Sequence, residues 1–125
     1  MKALRLTGAP EPSESEIQTA LIRRLLMAGW LVVRVNSGAF KTANGTFFRA
    51  YTVAGLNTSS GFPDVLALRS SGADGERAVV RLFEVKRRGG KRSEPQTRFA
   101  DYALSSGVRV EVVEGFGALE RLDLA

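Results

Sequence analysis

The run Ala78-Val79-Val80-Arg81-Leu82-Phe83-Glu84-Val85-Lys86 constrains the fold of this chain more than any other segment. Side chains alternate between faces along a strand, and here both faces carry apolar residues. Such a strand needs cover on both sides, which places it inside a layered α/β sheet. Glu84 sits in this apolar setting and therefore requires a partner or a metal. Lys86, two positions on, projects to the same side as Glu84. A second apolar run, Val65-Leu66-Ala67-Leu68, follows directly on Gly61-Phe62-Pro63-Asp64. If the two runs pair, Asp64 and Glu84 converge with Lys86 beside them. Two carboxylates suit a hard cation such as Mg²⁺, which takes oxygen ligands and keeps some of its waters. A neighbouring ammonium suits the deprotonation of one of those waters or the charge of a phosphate. The plainer readings are a turn aspartate after proline, an exposed strand end and the first member of a basic run.

The remaining composition narrows the chemistry. The chain has neither cysteine nor histidine. Disulfides, thiol nucleophiles, serine–histidine triads and ordinary structural zinc sites are thereby excluded. Catalysis falls to carboxylates, lysine, tyrosine, hydroxyls or a hard metal. At 125 residues, 44% hydrophobic and 25% charged, the expectation is one globular domain over 13–125 preceded by a loose arm over 1–12. No apolar stretch approaches membrane-spanning length, and Met1–Leu6 lacks the apolar centre of a signal peptide, so a cytoplasmic location and no membrane partner are expected.

The net charge of +5 is concentrated rather than spread. Residues 81–98 hold seven basic side chains (Arg81, Lys86, Arg87, Arg88, Lys91, Arg92, Arg98) against Glu84 and Glu94, while the rest of the chain holds eleven of each sign. A local basic cluster attracts a phosphate backbone, although a solvated loop kept soluble by its charges is the ordinary alternative.

Along the chain, Ser13 and Glu16 form a capping-box pattern, and Ile17, Leu21 and Leu25 recur at helical spacing up to Gly29. Trp30–Val35 reads as a buried strand. Asn44-Gly45 between Phe40 and Phe47-Phe48 predicts a protruding β-hairpin over Phe40–Tyr51, with Lys41 and Arg49 placed to meet nucleic acid. That hairpin equally fits a partner-docking element or a plain edge. Asn36-Ser37-Gly38 and Thr58-Ser59-Ser60-Gly61 lie where they can line a cleft, or serve only as turns. Ser93, with Pro95 and Gln96, opens a second capped helix ending near Gly107. Val108–Val113 reads as a last strand and Phe116–Leu122 as a short closing helix. The strand–helix–strand unit from 78 to 113 predicts a parallel pair. The 64–86 pair is expected to be antiparallel, in a mixed central sheet flanked by helices.

Pro63-Asp64, nineteen residues, then Glu84-Val85-Lys86 resembles the PD-(D/E)xK nuclease superfamily, and the element order resembles its αβββαβ restriction-endonuclease-like core with an inserted hairpin. The chain is closer still to the stand-alone VRR-NUC domains of phages and bacteria. The likeness spans roughly residues 13–114 through Glu16, Arg34-Val35-Asn36-Ser37-Gly38, Gly-Phe-Pro-Asp, Glu-Val-Lys and Gln96. The resemblance implies Asp64, Glu84 and the Val85 carbonyl as ligands of Mg²⁺ or Mn²⁺, and Lys86 beside the attacking water. It implies Glu16 as an outer or water-mediated ligand, and Gln96 orienting the lysine or touching phosphate. Arg87, Arg88, Lys91, Arg92 and Arg98 then follow the DNA backbone. The implied activity is metal-dependent cleavage of DNA phosphodiesters by a homodimer selective for branched DNA such as four-way junctions, in a bacterial cell or phage-infected host. A non-catalytic nucleic-acid-binding module on the same fold, or a protein–protein adaptor using the hairpin, are the competing expectations.

Overall fold

A computed structural model describes residues 11–35, 40–41, 43–45, 47–48, 51–72, 75 and 77–125, with the two hairpin strands described by their backbone. The order is α1 (Glu14–Met27), β1 (Leu31–Arg34), β2 (Phe40–Lys41), β3 (Phe47–Phe48), β4 (Val65–Ser70), β5 (Ala78–Lys86), α2 (Glu94–Ser105), β6 (Val110–Glu114) and α3 (Gly115–Glu120). The αβββαβ core is therefore α1, β1, β4, β5, α2 and β6, with β2–β3 inserted. The loose arm expected over 1–12 lies almost wholly outside the described residues, as do Asn36-Ser37-Gly38 and Arg49. No helix among the described residues is long and apolar enough to cross a membrane.

The four-stranded sheet runs β1-β4-β5-β6. β1 and β5 both flank β4 antiparallel, and β6 joins β5 in parallel, so the sheet is mixed as expected. β2 and β3 pair separately, Phe40 opposite Phe48, around the turn in which Gly45 takes φ 87°.

α1 is built as its sequence spacing predicts. Ser13 accepts from the Glu16 N–H, the Glu16 carboxylate accepts from the Ser13 N–H, and Ile17, Leu21 and Leu25 are fully buried. They pack on Val65, Ala67, Phe83, Val85 and Val113. The opposite sheet face carries Leu66, Leu82 and Val110 and packs on Phe99, Ala100 and Ala103 of α2. Glu84 and Lys86, alternating with Phe83 and Val85, fall on the α2 side.

β1 corrects one expectation. It is an edge strand, with Leu31 58% exposed and Val33 also exposed. Only Val32 joins α1's cluster. Leu31 and Val33 pair with Leu68 and Leu66 on the α2 side, but α2 sits toward β6 and leaves them uncovered. Val79 and Val80, at the start of β5, are exposed as well, so burial of that strand begins only at Leu82.

Candidate metal and phosphate site

The turn 61–64 is held from several sides before it delivers Asp64. Gly61 takes φ 91°, and a Cβ there would lie 2.2 Å from the Pro95 carbonyl oxygen, so the turn rests directly on the first turn of α2. The Phe62 ring packs between Tyr51 and Phe99, at centroid separations of 5.7 and 5.0 Å. The Phe62 N–H donates to the Tyr51 hydroxyl at 3.1 Å. Tyr51 thus belongs to this turn and not to the hairpin. Asp64 is tied by its backbone to both neighbouring strands: its N–H donates to the Phe83 carbonyl at 2.9 Å, and its carbonyl accepts from the Val35 N–H at 2.8 Å.

The Asp64 carboxylate accepts from the Val85 N–H at 2.7 Å, which joins the two halves of the site directly. Burial pushes the Asp64 pKa upward; the Val85 hydrogen bond opposes that, the nearby Glu14 charge adds to it, and Lys86 opposes it weakly.

Glu84 is only 1% exposed. One oxygen accepts from Arg92 Nε at 3.0 Å, and the other, Oε1, is buried without a hydrogen-bond partner. A buried carboxylate oxygen lacking a donor is costly, and a cation or a hydrogen-bond donor relieves it. Lys86 is 8% exposed and makes no hydrogen bond or ion pair among the described residues. Both capped helix starts face this end of the sheet: Glu14 of α1 lies near enough to act on Asp64, and α2 begins just after Lys86 and Arg92. The positive ends of their dipoles favour an anion there.

These donors fit a hard divalent cation. They comprise two carboxylates, one of them with an unsatisfied buried oxygen. Among the described residues no three Asp, Glu, His or Cys side chains approach closely enough to hold a metal together, so side-chain ligation would fall to Asp64 and Glu84 alone. Val85 contributes its N–H to Asp64, and its side chain lies in α1's cluster.

The other nominated residues divide. Gln96 is half-buried, and its side-chain carbonyl caps α2 by accepting from the Ser93 N–H at 2.8 Å. Glu16 is exposed and folds back onto Ser13. The acid of α1 that acts on Asp64 is Glu14, which pattern reading passes over because the capping box singles out Glu16. Arg87, Arg88, Lys91 and Arg98 are exposed, with Arg88 loosely paired to Glu11 at 3.8 Å. Arg92 stands apart, pointed at Glu84. The side chain of Lys41 lies outside the described residues.

Neither curated proteins nor solved structures yielded a match. The family model of the VRR-NUC domain matches residues 13–117, most of the 125-residue chain and all of the elements that build this site, so the chain belongs to the VRR-NUC family and carries a nuclease-type domain.

Proposed function

We propose that the protein is a Mg²⁺- or Mn²⁺-dependent endonuclease that hydrolyses DNA phosphodiester bonds, acting as a homodimer with a preference for branched DNA such as four-way junctions. The observation that carries this reading is the Glu84 carboxylate: it is sealed from solvent, has one oxygen unpartnered, and stands next in the chain to Val85, whose N–H holds the Asp64 carboxylate. Asp64 and Glu84, with the Val85 carbonyl, would hold the ion. A bound divalent ion supplies acidity to a coordinated water and neutralises phosphate charge. The chain's own residues do the rest.

Lys86 places an ammonium where negative charge accumulates as the water oxygen bonds to phosphorus and the bond to the 3′-oxygen breaks, leaving a 5′-phosphate and a 3′-hydroxyl. The Val85 N–H fixes one oxygen of the Asp64 carboxylate and leaves the other available to the ion. Gln96 offers its NH₂ to a phosphate oxygen while its carbonyl keeps α2 capped. Arg87, Arg88, Lys91 and Arg98 follow the flanking backbone, so affinity falls by roughly one power of salt per phosphate neutralised. Contacts of this kind go to phosphates and carry no base identity, so recognition is of shape more than sequence.

The test is a panel of junction, flap, nicked and linear DNAs with Mg²⁺, Mn²⁺ or chelator, using wild type and Asp64→Ala, Glu84→Ala and Lys86→Ala. Each variant should lose about 100-fold or more in cutting while retaining salt-sensitive binding. Full cutting by Asp64→Ala or Glu84→Ala would remove the proposal. The Arg92–Glu84 ion pair favours one second reading, a binding-only module in which Glu84 is already neutralised. That reading predicts DNA binding without cleavage and no calorimetric heat from Mn²⁺.

A further inference from the structure

Arg92 is explained neither by the exposed basic cluster nor by the helix cap that follows it. The protein's other part-buried arginine–carboxylate pair is built differently. Arg81 grips Glu111 through both Nε, at 2.7 Å, and Nη2, and its Nη1 donates to the Asp123 carbonyl at 2.6 Å. Every nitrogen is used and both carboxylate oxygens are taken, which is how a structural arginine pair is satisfied.

Arg92 touches Glu84 through Nε alone, at 3.0 Å. Neither of its terminal nitrogens has a hydrogen-bond partner among the described residues, and Glu84 Oε1 has none either. The pair therefore keeps spare capacity on both sides, donors on one and an acceptor on the other. The Arg92 side chain is 30% exposed while Glu84 is 1% exposed, so the guanidinium bridges from the buried carboxylate toward the open end of the sheet. Its backbone directly precedes Ser93, whose reciprocal cap with Gln96 fixes the start of α2. A planar fork of donors on a rigid anchor is matched to two oxygens of one phosphate.

We propose that Arg92 is a phosphate ligand as well as a positioning residue. Its Nε orients Glu84 so that Oε1 faces the site, and its two terminal nitrogens bind non-bridging oxygens of the phosphodiester to be cut. The inference rests on the nuclease reading and adds a coupling to it: the same guanidinium holds a carboxylate of the ion site and the substrate phosphate, so each is placed relative to the other. Arg87, Arg88, Lys91 and Arg98 lack such an anchor and act on flanking phosphates only.

The experiment first maps the bond cut by wild type with Mn²⁺. Binding is then measured in chelator for the same DNA with either a native phosphate or a neutral methylphosphonate at that position. Wild type should bind the neutral form about tenfold more weakly, the value of a charge-assisted contact. Arg92→Ala should bind the two forms alike, and Arg92→Lys, which keeps a cation against Glu84 but has no fork, should retain less than half of the wild-type discrimination. At saturating DNA and Mn²⁺, kcat should fall about 100-fold in Arg92→Ala and at least about tenfold in Arg92→Lys. If Arg92→Ala fails to fold, Arg92→Lys decides. Wild-type discrimination or wild-type kcat in a folded Arg92 variant would overturn the inference and leave the nuclease reading standing. Absence of cutting by wild type in every metal would overturn both.

Discussion

The amide N–H of Val85 donates to the carboxylate of Asp64 across 2.7 Å, and this one bond spans the break between the two acidic segments of the chain. Pro63, immediately before Asp64, has no N–H to offer the neighbouring strand. The ladder between β4 and β5 begins at Val65 opposite Phe83, and beyond it a side chain replaces a backbone acceptor. Asp64 is thereby held by a donor that belongs to the same peptide unit as Glu84.

That arrangement has a stability consequence. Burial raises the Asp64 pKa, more than the Val85 bond and Lys86 lower it. A carboxyl whose folded-state pKa lies above its unfolded value binds a proton more readily in the native state. Its contribution to stability is present below the unfolded pKa and is lost as pH rises through the folded one. The penalty grows as pH rises through the folded-state pKa. Asp64→Asn keeps an acceptor for the Val85 N–H and removes the charge. The metal-free variant should therefore melt higher than wild type at neutral pH and lose that advantage in acid. Saturating Mn²⁺ should raise the wild-type Tm and leave the variant unmoved. Paired thermal melts across pH check this, and a variant that melts lower at neutral pH would contradict it.

Gly61 supplies the second prediction, with Gly29 as its internal comparison. Both have φ near 90°, but nothing lies within 4 Å of a Cβ built at Gly29, whereas one at Gly61 lies 2.2 Å from the Pro95 carbonyl oxygen. Gly29→Ala should cost only the left-handed backbone penalty, about 1–2 kcal/mol. Gly61→Ala must in addition push the turn off α2, for a total of at least about 3 kcal/mol. Because Asp64 is three residues on, cutting measured on the folded fraction should also fall in Gly61→Ala and not in Gly29→Ala. Urea melts with activity corrected for folded protein separate the two effects.

Much of this geometry is legible in the sequence, for definite reasons. α1 and α2 are marked by capping boxes and by apolar spacing, and both start where Ser13 and Ser93 indicate. The buried position of Glu84 follows from apolar neighbours on both faces of β5. The misreading of β1 has an equally definite cause: an apolar run has the same composition at a sheet edge as at its centre, and only the placement of α2 toward β6 leaves Leu31 and Val33 exposed. Glu14 is hidden because a capping pattern names one acid of the first turn, while position around the helix, set by packing on Phe83 and Val85, decides which acid's charge acts on Asp64. The aim of Arg92 depends on a non-local contact between the end of β5 and the loop before α2, which charge clustering does not encode.

The two acids of α1 should accordingly behave differently. Glu16→Gln leaves a side-chain oxygen able to accept from Ser13 and should change stability by less than about 0.5 kcal/mol, with cutting unaltered. Ser13→Ala removes the cap and should cost about 1 kcal/mol. Glu14→Gln removes a negative charge that acts on Asp64, so it should lower the Asp64 pKa and weaken Mn²⁺ binding with little change in Tm. Mn²⁺ calorimetry on Glu14→Gln and Glu16→Gln distinguishes them; equal effects would return Glu16 to the site.

Lys86 is the strictest test of function against structure. The residue is 8% exposed and lacks an ion pair among the described residues, while Arg92 already answers the charge of Glu84. Its effect on Asp64 is the smallest of those acting there. Burying such a group costs stability, and a side chain of similar length without charge avoids that cost. Lys86→Met should therefore leave the metal-free protein as stable as wild type or about 1 kcal/mol more stable, and should cut DNA about 100-fold or more slowly. DNA affinity should lose at most about one power of its salt dependence, since the exposed cations Arg87, Arg88, Lys91 and Arg98 remain. Chemical denaturation, single-turnover cutting and a salt titration on one preparation measure all three. A large loss of stability with cutting preserved would make Lys86 a structural counter-ion, because only a group retained for its chemistry is worth an unpaired charge at the end of a buried strand.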